Sequence, residues 1–159
     1  MLLVKTDLQS FANLHVSERT NLENNFMVAS DDELTKLYKD TVNDGNNCTL
    51  VTVIPTADAN ILDEDNRRFR NNLIFMIIKK TDAKAGSDHR IDVFQLCQEE
   101  ILALTNKIID LHHNFNQNCL FRDIDLNSIR IDPVQDYLGA NGFALEFSVY
   151  TILQKNQAI

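Results

Sequence analysis

One long apolar stripe constrains this chain more than any other feature. Phe94, Cys97, Ile101, Leu104, Ile108, Leu111 and Phe115 fall alternately three and four residues apart. A helix from Asp88 to about Asn114 puts them all on one face. Such a face must be covered by another apolar surface, and one follows in the chain. Phe143, Leu145, Phe147 and Val149 alternate with Ala144, Glu146, Ser148 and Tyr150, which is the period of a strand with one buried side. The expectation is a helix lying on a sheet.

The remaining elements fit around that pair. Leu8, Phe11, Ala12 and His15 keep helical spacing after a cap at Thr6 or Asp7, which predicts a short N-terminal helix. Residues 16–29 are rich in Asn and Ser and show no clean period. Ser30-Asp31-Asp32-Glu33 reads as a capping box, with Leu34, Leu37, Tyr38 and Val42 on one face behind it. Gly45, within Asn43–Asn47, stops that helix. Cys48–Ile54 is β-rich and reads as a strand ended by Pro55. Leu73–Ile78 is apolar at every position, as in a strand covered on both faces. Pro55 to Asn71 then becomes a long loop. Ile129 and Ile131 alternate with polar neighbours in a strand ended by Pro133, and the turn Tyr137–Gly142 leads into a last strand reaching about Leu153.

This order predicts an α+β fold: a mainly antiparallel four-stranded sheet, one long helix packed on it, and an N-terminal helical segment. At 159 residues and 44% hydrophobic, the chain is sized for a single α+β domain over 1–159. Within it, 1–45 is the N-terminal helical part and 46–159 the sheet-and-helix core. No repeat or linker divides it.

Charge and cysteine content narrow the function classes. A formal net charge of -8 argues against general nucleic-acid binding, which needs a basic patch. It is compatible with DNA passing through a lumen without sticking. Cys48, Cys97 and Cys119 are odd in number and widely spaced, which indicates neither a disulfide framework nor a zinc site. Cys97 lies on the helix stripe and reads as a small core residue. No stretch has signal-peptide or membrane-spanning character, so reduced cytoplasm is the expected compartment.

No catalytic motif emerges. Asp123-Ile124-Asp125-Leu126-Asn127 opens like a calcium loop, but Ser128 replaces the turn glycine and Val134 the bidentate glutamate. His112 and His113 are adjacent, so they point about 100° apart on a helix and share no ligand face. They suit a helix C-terminus instead. His15 and His89 have no neighbouring nucleophile or acid in sequence. No phosphate loop or nucleophile elbow is present. The expectation is a non-enzymatic protein with no catalytic residue, cofactor or metal.

The most interesting polar feature is a charge switch. The acidic run Asp63, Glu64 and Asp65 is followed by Arg67, Arg68, Phe69 and Arg70. Arginine beside an aromatic is favoured in interfaces, and the acids suit a complementary contact between identical subunits. These seven residues are the candidate subunit interface; the plain alternative is a salt-bridged surface loop.

The element order from Cys48 onward resembles that of tail-terminator and tail-completion (neck) proteins of long-tailed phages. The segment Ile131-Asp132-Pro133 through Gly142-Phe143-Ala144-Leu145-Glu146-Phe147 is similar to the C-terminal ends of small structural proteins from phages and prophages of Bacteroidetes-type hosts. The resemblance is one of architecture and carries over no functional residue. It implies a structural subunit of a homo-oligomeric, hexameric ring that docks on adjoining tail or connector proteins. DNA would meet it only by passage through the ring, and no membrane is involved. The protein would be assembled in the host cytoplasm and carried in the virion. The alternative is a small acidic binding or regulatory module without enzymatic activity. An enzyme with a site built from scattered acids and histidines is a third reading.

Overall fold

The helix stripe and the alternating C-terminal strand do meet, within a sheet larger than the sequence foretells. The computed structural model describes residues 2–30, 32–36, 47–61, 67–82, 84–114 and 120–152. A π-helical turn at Val4–Gln9 runs into helix α1 at Ser10–Ser17. The Asp7 carboxylate reaches back to accept the Leu3 N–H at 2.7 Å, satisfying one free amide of the first turn. Strand β1 (Leu22–Val28) and a helical turn at 32–36 follow. Then come β2 (Cys48–Ile61), β3 (Arg67–Lys80), the long helix α2 (Ser87–His113), β4 (Ile124–Tyr137) and β5 (Ala140–Ile152).

The fold is α+β, and among the described residues its sheet has five strands in the order β1-β2-β3-β5-β4. Every neighbouring pair is antiparallel except β1, which runs parallel to β2. The sheet is mainly antiparallel as expected, but it has a fifth strand and one parallel pairing where four strands were expected, and the N-terminal part is not purely helical. The missing strand has a physical explanation. A register shift between Leu22 and Asn24 inserts a residue. It turns Leu22 into one core cluster and Val28 into another, although six positions apart they would share a face in a regular strand. The bulge erases the alternation that would betray a strand.

Two prolines read as strand ends lie inside strands. Pro55 sits at a register shift between Val53 and Thr56, where β2 carries one extra residue opposite β3 and the missing proline N–H breaks no ladder bond. Beyond it, 56–61 pair with 67–72, so the span from Pro55 to Asn71 is mostly an antiparallel ladder and not a loop. Pro133 lies in β4, the edge strand, where a residue without an N–H costs the sheet nothing on its outer side.

The helix face of the sheet holds the main core. Leu50, Leu73, Phe75, Ile77, Leu145, Phe147 and Val149 lie under Phe11 and Ala12 of α1 and under Cys97, Ile101, Leu104 and Ile108 of α2. Each such side chain contributes roughly 1.5–3 kcal/mol on burial. Phe11 meets Phe75 and Phe121 edge-on at 6.0 and 4.8 Å. Gly142 is what allows β5 so close to β3: a Cβ there would lie 2.0 Å from the Ile77 carbonyl oxygen. On the far face, Val28, Leu34, Val51, Ile78 and Ala140 form a smaller cluster. Leu34 belongs to the 32–36 turn, where the Glu33 N–H donates to Ser30 Oγ as a capping box requires, but the Glu33 carboxylate reaches one residue further back and accepts the Ala29 N–H in place of the Ser30 N–H. The rest of the helix expected there lies outside the described residues, as does Phe115 of the α2 stripe. Gly86 takes the N-cap position of α2 with no side-chain cap bond.

Candidate functional site

The hairpin of β2 and β3 outruns its neighbour. β1 pairs only with Cys48–Val53 of β2, so residues 54–61 have no strand partner on their outer side among the described residues. Their inner side is paired with β3, and β3 is paired in turn with β5 out to Arg68 opposite Ile152. The result is a three-strand tongue whose β2 edge carries no strand partner among the described residues. Backbone N–H and C=O groups on such an edge are a template for another strand.

The register decides which side chains decorate the far face of this tongue. Thr56, Asn72 and Ser148 form one cross-strand row, and Asp58, Arg70 and Tyr150 the next. Arg68 and Ile152 begin a third. Arg70 donates from Nε to Ser148 Oγ at 3.0 Å, and that hydroxyl donates to Asn72 Oδ1 at 2.9 Å. Asn72 Nδ2 reaches Asp58 Oδ2 at 3.4 Å. Asp58, Arg68 and Arg70 are exposed, and Ile152 is 71% exposed, a large apolar side chain standing in water. Arg, Tyr and an exposed aliphatic in adjoining rows is the composition of an interface core.

Of the expected interface, Arg68 and Arg70 point to the far face together. Phe69 is half-buried and takes the opposite face, since successive residues of a strand alternate. Arg67 lies in β3 opposite Ile61, while Asp63, Glu64 and Asp65 lie outside the described residues. Asp58, Tyr150 and Ile152 were missed by sequence reasoning. Tyr150 and Ile152 arrive from a strand some eighty positions away, and the only signal is the β3–β5 register.

Other polar groups resolve as structure. The Arg19 guanidinium forks onto the buried Glu100 carboxylate at 2.8 and 2.9 Å, and Asn21 adds a bond at 3.0 Å. Burial pushes that carboxyl up, but the Arg19 and Asn21 hydrogen bonds and the Arg19 charge outweigh it, so it stays below the usual range. Lys107 pairs with Glu18, which with the first pair fastens the end of α1 to α2. His15 is buried with neither ring nitrogen bonded to a described residue, and burial first, then the Lys107 and Arg19 charges, lower it to about 4. His112 Nδ1 donates to the Phe121 and Arg122 carbonyls, closing the turn after α2. In the calcium-like segment, Asp125 Oδ1 accepts the Asn127 N–H, and Ser128 Oγ accepts the Ser148 N–H. These bonds make that segment a wide bulge on β4. A cleft of about 440 Å³ opens at the start of α2, where Arg90 favours an anion but Asp82 and Asp136 oppose it. No group of three or more His, Cys, Asp or Glu placed to hold a metal occurs among the described residues.

No known family model matches the chain, and no curated protein or solved structure does either.

Proposed function

We propose that this chain is a non-enzymatic assembly subunit that joins copies of itself through the tongue of β2, β3 and β5. Its place is the tail-terminator or neck ring of a phage-like particle, seated against adjoining tail or connector proteins. The observation that carries the reading is the outer edge of residues 54–61, which has no strand partner among the described residues, beside exposed Arg68, Arg70 and Ile152. A neighbouring copy adds a strand to that edge, with main-chain bonds supplying affinity and the arginines supplying register. The acidic run Asp63-Glu64-Asp65 offers the opposite charge to Arg68 and Arg70 of the next copy. Repeated head-to-tail contacts of this kind close into a ring. A net charge of -8 lets DNA pass the lumen, because phosphates are repelled and not gripped.

Size-exclusion chromatography with light scattering on the purified full chain tests this, with negative-stain microscopy of the assembled peak. The expected result is a concentration-dependent closed ring with a central opening. The double variant Arg68→Glu, Arg70→Glu should elute as a monomer with an unchanged circular dichroism spectrum. A wild-type chain that stays monomeric throughout, or a double variant that assembles like wild type, defeats the proposal. A two-fold dimer keeps the edge contact and removes the ring.

A further inference from the structure

From the packing of β2 against α2, we infer that Cys48 and Cys97 are a reversible disulfide pair that forms in the folded chain when it meets an oxidising environment. This is independent of the assembly reading. Their Sγ atoms lie 3.7 Å apart, and both residues are completely buried. A disulfide spans about 2.05 Å, so each sulfur has to move by roughly an ångström, within reach of small side-chain rotations. Cys48 opens β2 opposite Leu22, with its N–H bonded to the Asn21 carbonyl at 2.8 Å. Cys97 sits mid-way along α2 on the apolar stripe, with its Sγ 3.6 Å from the Asn141 carbonyl oxygen. The two residues are thus held by different, well-packed elements and still face each other. Cysteines used only as small apolar fillers have no need to do so.

The oxidant is a low-molecular-weight disulfide. The Cys48 thiolate attacks one of its sulfurs, and one thiolate leaves and takes up a proton. The Cys97 sulfur, its proton lost to solvent or to the leaving group, then attacks the Cys48 sulfur of the mixed disulfide and expels the second thiolate. Two protein thiols are oxidised to one disulfide, and one small disulfide is reduced to two thiols. The Cys48 thiol and burial both hold Cys97 above the usual thiol range, which places the first attack at Cys48. With both sulfurs buried, the rate follows local opening of the β1–β2 end of the sheet. The bond, once made, ties α2 to that end.

The test uses the full chain carrying Cys119→Ser, fully reduced and then exposed to oxidised glutathione. The expected product has lost two hydrogens, and digestion without reductant yields one joined peptide pair containing Cys48 and Cys97. Its Tm should rise by about 5–15 °C and return on adding dithiothreitol. Cys97→Ala and, separately, Cys48→Ala should each abolish both the product and the shift. The inference fails if both thiols can still be alkylated after the treated protein is denatured. A stable glutathione adduct on Cys48 overturns it as well, and so does a link that forms only with loss of the cooperative melt.

Discussion

Asn71 and Asn72 are adjacent in β3 and face opposite sides of the sheet, and the two sides treat them differently. On the helix face Asn71 is fully buried. Its Oδ1 accepts the Leu2 N–H at 3.2 Å, and its Nδ2 donates to the Val149 carbonyl and Thr151 Oγ1, both at 3.0 Å. On the far face Asn72 is half-buried and belongs to a looser chain through Ser148, Thr56 and Asp58, with bonds up to 3.5 Å. One face spends its polar groups on sealing a dry core. The other arranges them near water, where a partner can replace solvent at little cost. The lesson is that identical side chains mark core or surface according to register alone.

The largest expected effect comes from the next pair of opposite-facing neighbours. Phe75→Ala should cost about 3–5 kcal/mol in urea unfolding, because it empties the aromatic cluster with Phe11 and Phe147. Met76→Ala, half-buried on the far face, should cost about half of that or less. Equal costs would mean the far face is as well packed as the helix face. A second test titrates the helix face. His15 is lowered from 6.5 to about 4 by burial first, with Lys107 and Arg19 adding to it and Glu18 and Glu100 opposing. The unfolded chain therefore takes up a proton that the folded chain refuses. The stability is fully present above the unfolded value and drains away as pH falls toward the folded one, by about 3 kcal/mol. His15→Phe should flatten this loss between about pH 7 and pH 4.5. If wild type and variant lose stability in parallel, the buried imidazole is not the cause. The smallest effect belongs to the asparagines themselves. Asn71→Ala should cost about 1–3 kcal/mol by orphaning the buried Leu2 amide, and Asn72→Ala under about 1 kcal/mol. Thermal melts that rank them the other way would undo the comparison.

Much of the helix face was legible in sequence. The α2 stripe needs only a period, and Cys97, Ile101, Leu104 and Ile108 are all buried as that period demands. Leu8, Phe11, Ala12 and His15 are buried for the same reason. What escaped was decided by pairing and not by local pattern. β1 hides behind its bulge. The outer half of β2 is polar or small from Thr56 to Asn60, follows a proline, and becomes a strand only because β3 presents a matching edge. Of the candidate site, the arginines announce themselves as a cluster, but the bulge-shifted register that sets Asp58 beside Arg70 cannot be read from residue types. Nor can the approach of Cys48 to Cys97, forty-nine positions apart.

β5 has a consequence for how the protein comes to fold. It lies inside the sheet, between β3 and β4, and its Phe147 and Val149 complete the main core, yet it is the last of the five strands in chain order. A nascent chain that has released β1 through β4 has two bare strand edges and an uncovered helix stripe. Such edges and stripes invite pairing with other chains. The contact from Leu2 through Asn71 to Val149 also joins positions far apart in the chain, the kind of topology that folds slowly. Pairing of β5 with β3 and β4 is therefore the step that closes both edges and covers the stripe.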